Sequence, residues 1–317
     1  MKKLACSIAF VCALAAAFVA AGSETGKLIP DSCTAVVSMN NIQNDPGISW
    51  MLDAWIKAPR QSPLRELLKT VVPQEMSVAF FPEKKDAPMN LLAAMALPKG
   101  SKADKGKVSE VIKGDEGTSL DTVSYKGVTI TYTKGLKGPE DFGAYAMIDD
   151  RVILFGSEPE ILKKAIDGPP VDKSPNYQKV RGQFPQAKDA ILFADNSGMK
   201  FANFLKPREK KWKMTLLLSS EYLEYMASSF DIVNASKVSG TFIFQGADKS
   251  RIPEIKDDAE FMGEAFKRKF MAEKIQYSSK VEVKDRTVTL TFQIEGLEPL
   301  WKKLFEQGVL ELFRPES

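Results

Sequence analysis

The sequence predicts an α+β protein of two repeated units, each a mainly antiparallel sheet with packed helices, related by pseudo-symmetry. Three observations carry this. Apolar residues alternate in paired runs around short turns, as in Thr118–Tyr125 and Val128–Thr133 across Lys126-Gly127, and Lys274–Lys284 and Thr287–Ile294 across Asp285-Arg286. That is the pattern of antiparallel hairpins. Other segments carry a 3.6-residue period, as in Glu254–Glu273 with Ala259, Met262, Phe266 and Phe270 in phase. The chain also resembles itself. Pro30, Ala35-Val36-Val37 and Asn40-Asn41 recur as Pro185, Ala190-Ile191-Leu192 and Asp195-Asn196; Val128–Tyr132 recurs as Val288–Phe292; and Glu158-Pro159 with Lys163 and Gly168 recurs as Glu298-Pro299 with Lys303 and Gly308.

The first unit spans residues 28–168. Ala35–Met39 reads as a buried strand. Ile48–Ile56 and Leu64–Val72 read as helices, broken at Pro59 and Pro63. Met76–Phe81 and Leu91–Leu97 pair as strands, Lys102–Lys113 is a short helix, and the Lys126-Gly127 hairpin follows. Residues Phe142–Phe155 form an extra hairpin that the second unit lacks, turning at Asp149-Asp150. In 150-DRVILFGSEPEILKKAIDG-168, Ser157 and Glu160 have the spacing of a capping box, and Gly168 stands where a left-handed residue ends a helix. The stretch 167-DGPPVDKSP-175 reads as a polar linker.

The second unit spans 175–317. Ala190–Ala194 is its entry strand, Met199–Leu205 and Lys211–Ser229 read as helices, and Val238–Phe244 is a strand. The long helix, the last hairpin and a closing helix from Pro299 to Glu311 complete it. Two separate sheets and one continuous sheet both satisfy this reading.

Residues 1–21 stand apart from the fold. Lys2 and Lys3 precede the apolar run Leu4–Ala21, which ends in Val19-Ala20-Ala21 before Gly22, as a cleaved secretory signal does. Retention as a membrane anchor is the alternative, since the run just reaches spanning length. Cleavage places the protein outside the cytoplasm, periplasmic or extracellular. It removes two lysines and no acid, so the formal charge falls from +3 to +1, which gives no electrostatic case for a nucleic-acid partner. It also leaves Cys33 as the one cysteine, expected to be buried because it directly precedes a strand.

The chain has no histidine. That excludes Ser-His-Asp and Cys-His catalysis and histidine-ligated metal. No cofactor motif is present and no cofactor or metal is expected. Ser197-Gly-Met-Lys200 fits the S-x-x-K spacing of acyl-transferring serine enzymes, but no K-T-G follows it; capping of the next helix by Ser197 or Asn196 explains the residues as well. Asn40, Asn41, Asp195 and Asn196 end the two entry strands and could meet as paired polar groups for a ligand, or serve turn chemistry alone. The run 206-KPREKKWK-213 sets Lys210, Lys211, Trp212 and Lys213 as a candidate contact for an anionic membrane surface or envelope polymer.

Three features together resemble a family of exported bacterial proteins known only as a domain of unknown function: Leu28-Ile29-Pro30-Asp31 after the apolar leader; the first strand with Asn40-Asn41; and Val152–Ser157 followed by Glu160, Leu162, Lys163, Lys164 and Ala165. The resemblance implies an exported, repeated α+β protein and carries over no catalytic residue. The expected function is a non-catalytic envelope protein that binds a ligand or partner or acts as a scaffold. A peripheral membrane or lipid-handling protein, and a hydrolase using Ser197 and Lys200 or a carboxylate pair, are the alternatives.

Overall fold

The computed structural model describes residues 24–39, 42–57, 63–81, 90–113, 118–134, 142–184, 190–212 and 218–301. Its strands join one antiparallel sheet, so the choice between two sheets and one is decided for one. Strand β1 (Ala35–Met39) lies near the middle. On one side of it follow β2 (Glu75–Phe81), β3 (Asn90–Ala96), β7 (Val152–Gly156), β6 (Ala144–Met147), β5 (Val128–Thr133) and the edge strand β4 (Leu120–Tyr125). On the other side follow β8 (Ala190–Asp195), β9 (Leu223–Ile232), β10 (Lys237–Gly246), β12 (Thr287–Glu295) and the other edge, β11 (Gln276–Lys284). The seam is the β1–β8 pair, in which Val37 faces Leu192.

Alternation along the strands separates two cores. Ala35, Val37 and Met39 point to one face with Leu192 and Ala194; Val36 points to the other with Ile191 and Phe193. The first face is covered by α1 (Pro46–Lys57), α2 (Pro63–Thr70), α3 (Lys105–Ile112), α6 (Lys200–Trp212) and the long α7 (Ile252–Ala272), which bury Ile48, Leu67, Val108, Phe201 and Phe266 among others. A helical turn at 298–301 joins this core through Trp301, whose ring meets Trp50 edge-on at 6.0 Å. The second face is covered by α4 (Pro159–Asp167) and α5 (Pro175–Gln183), through Ile161, Leu162, Tyr177 and Val180.

One cross-strand row shows how unevenly the second face is clothed. From β4 to β11 it runs Val123, Ile130, Ala146, Leu154, Ala94, Ser77, Ser38, Ile191, Ser229, Thr241, Thr291, Lys280. It is apolar beneath α4 and turns to hydroxyls across the middle. Thr291 and Lys280 end it exposed to solvent. A solvated face on an antiparallel sheet takes polar residues at alternate positions.

Local chemistry explains most element ends. Lys126 and Gly127, with φ of 48° and 80°, make the two-residue turn whose twist suits a hairpin. Asp104 Oδ1 caps α3, accepting from the Gly106 and Lys107 amides at 2.8 and 3.2 Å. Asp149 Oδ1 accepts from the Arg151 and Val152 amides at 2.6 and 2.7 Å and shapes the β6–β7 turn.

Several expectations are corrected. The helix expected over Lys211–Ser229 is not formed across its second half: α6 ends at Trp212, and β9 occupies Leu223–Ile232. Strand β9 lies between β8 and β10 with both faces covered, so it has no alternation to separate it from a buried helix. The linker holds structure of its own. Val171 is buried, α5 begins at Pro175, and the segment is pinned to the N-terminal stretch by Asp31 N to Pro169 O (2.8 Å) and Val171 N to Ile29 O (2.7 Å). The capping box does not form. Glu158 is the N-cap of α4, without a side-chain bond; Ser157 is buried and ties β7 to β3, accepting from Leu91 N at 3.3 Å and bonding Asn90 Oδ1 at 3.4 Å. Gly168 is not left-handed, having φ −71°. It is required because a Cβ there would lie 2.8 Å from both Pro30 Cβ and Lys164 O. Residues 1–23 and 302–317, and so most of the expected closing helix, lie outside the described residues.

Candidate functional site

The polar cluster with the most convergent chemistry sits where β8 meets α6. Strand β8 ends at Asp195, whose amide bonds Thr34 O at 3.0 Å, so the residue is held at the sheet's central seam. The chain then turns through Gly198 (φ 61°) and Met199 (φ 60°) into α6. Glycine takes the left-handed region freely, whereas methionine there is strained.

That turn folds Ser197 and Lys200 back on Asp195. Asp195 Oδ2 accepts from Ser197 Oγ at 2.5 Å and from Lys200 Nζ at 3.0 Å. Its Oδ1 accepts from Ser197 N at 3.1 Å and from Asn176 Nδ2 of α5 at 3.5 Å. Lys200 Nζ also donates to Asp31 O at 3.3 Å. The Asp195 side chain is only 10% exposed and that of Lys200 33%. Burial alone would raise the Asp195 pKa, but the hydrogen bonds from Ser197 and Lys200 outweigh it and hold the carboxyl below its usual range.

These contacts define what the cluster can do. Serine and lysine share one carboxylate oxygen. Acyl transfer needs a lysine that accepts the serine proton; here the lysine donates to two oxygens. Asp195, held ionised by two donors, is a weak base. Beneath the cluster Cys33 is buried, as its sequence position predicted, and burial, partly opposed by Lys200, pushes its thiol up to about 12. It remains a protonated thiol at any physiological pH.

Asn196 has a different task. Its Nδ2 donates to Ser220 O at 2.9 Å and Leu223 O at 2.7 Å, and its Oδ1 accepts from Ala202 N at 2.9 Å. The buried amide therefore splices the end of β8 to α6 and to the start of β9, and spends its hydrogen-bonding capacity on backbone.

Asn40 and Asn41 lie outside the described residues, but Met39, which precedes them, pairs with Ala190, while Ala35 pairs with Ala194. The two entry strands thus end at opposite ends of the seam, with Met39 and Asp195 roughly 15 Å apart at strand rise. Lys210, Lys211 and Trp212 belong to the last turn of α6, with their side chains outside what is described; Lys213 is outside the described residues altogether. Sequence reasoning missed Asn176 and the Asp31 carbonyl. The signal for Asn176 was present in the linker, where Pro175 opens a stretch with Tyr177, Val180 and Phe184 at helical spacing.

Among the described residues no group of three or more acidic, cysteine or histidine side chains is placed to hold a metal ion, and no helix is long and apolar enough to cross a membrane. Residues 72–202 match a family described as "Protein of unknown function (DUF3352)". The match covers a little under half of the chain, from the residues before β2 to the first turn of α6, with Asp195, Ser197 and Lys200 inside it. It agrees with the uncharacterised family implied by the sequence resemblance. No curated protein and no solved structure matches the chain.

Proposed function

We propose that this is an exported, non-catalytic envelope protein that binds a partner or acts as a scaffold, built from two pseudo-symmetric halves joined through their entry strands. The observation that carries the reading is the uneven clothing of the sheet's second face. Under α4 and α5 it is apolar and closed, while towards β11 it is a polar surface of Thr241, Thr291, Gln293, Ser278 and Lys280 on consecutive strands. A broad, rigid polar face of this kind suits contact with an extended partner.

Several features support the pseudo-symmetry. The element order β-α-β-β-α-β-β runs from β1 to β5, with α1 and α2 counted as one broken helix, and again from β8 to β12. Ala35 faces Phe80 as Ala190 faces Phe230, and Val37 faces its own sequence counterpart Leu192 at the seam. The correspondence ends at the hairpin β6–β7, which inserts between β3 and β5. Beyond it Val128, Ile130 and Tyr132 serve the second core, while their sequence counterparts Val288, Leu290 and Phe292 serve the first.

Export is supported by the lysine-led apolar segment before Gly22. Expression of the whole chain in a Gram-negative host, followed by fractionation and N-terminal mass analysis, tests it. The expected product lies outside the cytoplasm and begins near Gly22; a cytoplasmic product with residues 1–21 intact overturns export. The binding face is tested by co-sedimentation with isolated envelopes. Thr291→Glu, which sets a carboxylate on this face opposite Lys280, should sharply weaken co-sedimentation while changing the melting temperature little. Equal sedimentation of wild type and variant would refute a role for that face.

One observation favours a second reading, the Ser197–Asp195–Lys200 triangle, which could serve hydrolysis. A serine-reactive probe separates the two: the non-catalytic reading expects no adduct at Ser197, and an adduct lost in Ser197→Ala would establish the hydrolase.

A further inference from the structure

Strand β11 is the edge of the sheet, with no further strand beside it among the described residues. It pairs with β12 in unbroken register over nine residues, from Gln276↔Glu295 to Lys284↔Thr287, with no bulge and no proline. A long, regular edge is a template for another strand unless something blunts it, and charge is the usual device. Here Lys280, Glu282 and Lys284 point to one face and alternate in sign, and Val283 is 44% exposed on the other.

We propose that β11 pairs antiparallel with β11 of a second copy of this chain, with the two-fold axis at Val281. Among registers that overlap more than half of the strand, only this one sets opposite charges across the pair. With Val281 opposite itself, Lys280 faces Glu282 of the second copy and Glu282 faces Lys280, while Ser278 faces Lys284. Centring on Glu282 sets Glu282 against itself and Lys280 against Lys284. Centring on Lys280 sets that lysine against itself. Opposite charges directly across an antiparallel pair stabilise it and like charges destabilise it. Lys280 and Glu282 already form an ion pair within β11, but their side chains are 72% and 60% exposed, so exchanging it for two pairs between chains loses little. Pairing also shields Val281 and Val283 and satisfies the edge amides and carbonyls from Ser278 to Lys284. A self-complementary contact of this kind closes as a symmetric dimer.

The test is a charge swap read by sedimentation equilibrium on the purified exported chain. Wild type is expected to be a dimer at ~50 μM, within the micromolar range of a small contact. Lys280→Glu and Glu282→Lys each create two like-charge pairs, and each should raise the dissociation constant about tenfold or more. The double variant Lys280→Glu/Glu282→Lys restores both pairs and should dimerise as wild type does. Far-ultraviolet circular dichroism and melting verify that all four proteins are folded. A monomeric wild type, single variants that dimerise like wild type, or a double variant no better than the singles would each overturn the proposal.

Discussion

At the scale of single residues, buried polar groups carry the sharpest consequences. Asn196 satisfies two carbonyls and one amide at a junction of three elements. Asn196→Ala strands all three, and is expected to lower stability by about 2–3 kcal/mol, measured by urea denaturation. Two carboxyls predict opposite pH effects. Burial, only partly offset by the Thr25 and Glu24 amides, raises the Glu75 pKa above its usual value. Its ionisation is therefore harder in the folded state, and stability is lost as pH rises through the unfolded and then the folded pKa. Glu75→Gln should raise the melting temperature at pH 7 and leave it unchanged near pH 3, where the glutamate is neutral in both states. Asp195 runs the other way: its folded pKa is depressed, so its contribution is full above the unfolded value and lost as pH falls through the folded one. Asp195→Asn should therefore destabilise at pH 7 and converge with wild type in acid. Equal offsets at both pH values would show that neither titration is linked to folding.

At the scale of elements, close approaches decide which residues are replaceable. Gly47 opens α1 directly against the end of β9, and a Cβ there would lie 1.7 Å from Ile232 O. Because the obstacle is backbone, Gly47→Ala must displace α1, at a cost of about 3 kcal/mol; a loss below 1 kcal/mol would mean that α1 shifts freely. Gly240 in β10 lies beneath the Phe292 ring, where a Cβ would come within 2.5 Å of Cζ. Neither glycine marks a turn, so nothing in the sequence shows its role. The hairpins are different. The Lys126-Gly127 and Asp285-Arg286 turns and the alternation beside them were legible because turn chemistry and half-burial act over neighbouring residues. Strand β9 was not, because burial on both faces removes that alternation. A signal remained: between its helices residues 28–168 show two strands, Met76–Phe81 and Leu91–Leu97, where residues 175–317 show Val238–Phe244 alone.

At the scale of the whole molecule, the seam between β1 and β8 is a full ladder of five pairs from Ala35↔Ala194 to Met39↔Ala190, with cores on both faces. Separating the units would expose both ladders and both cores at once. The chain should therefore melt in a single calorimetric transition, and Leu192→Ala, at the middle of the seam, should lower stability by about 2–4 kcal/mol without splitting it. Two resolved transitions would show that the units fold independently. The candidate site follows the same division of scales. The Ser197 and Lys200 spacing was legible because both residues belong to one turn, whereas Asn176 and the Asp31 carbonyl reach Asp195 from α5 and the N-terminal stretch.

The sequence by itself determined the α+β class, most of the strands and helices, the β6–β7 hairpin, the burial of Cys33 and the exclusion of histidine chemistry. Each of these depends on composition or on contacts between near neighbours, where period, turn residues and residue type act directly. Only the tertiary structure decided that the strands form one sheet, that the entry strands end at opposite ends of its seam, and that one part of the second face is clothed while another is bare. A buried strand is apolar whichever partner it has, so its composition does not encode which strand lies beside it. That choice belongs to the packing of the whole chain.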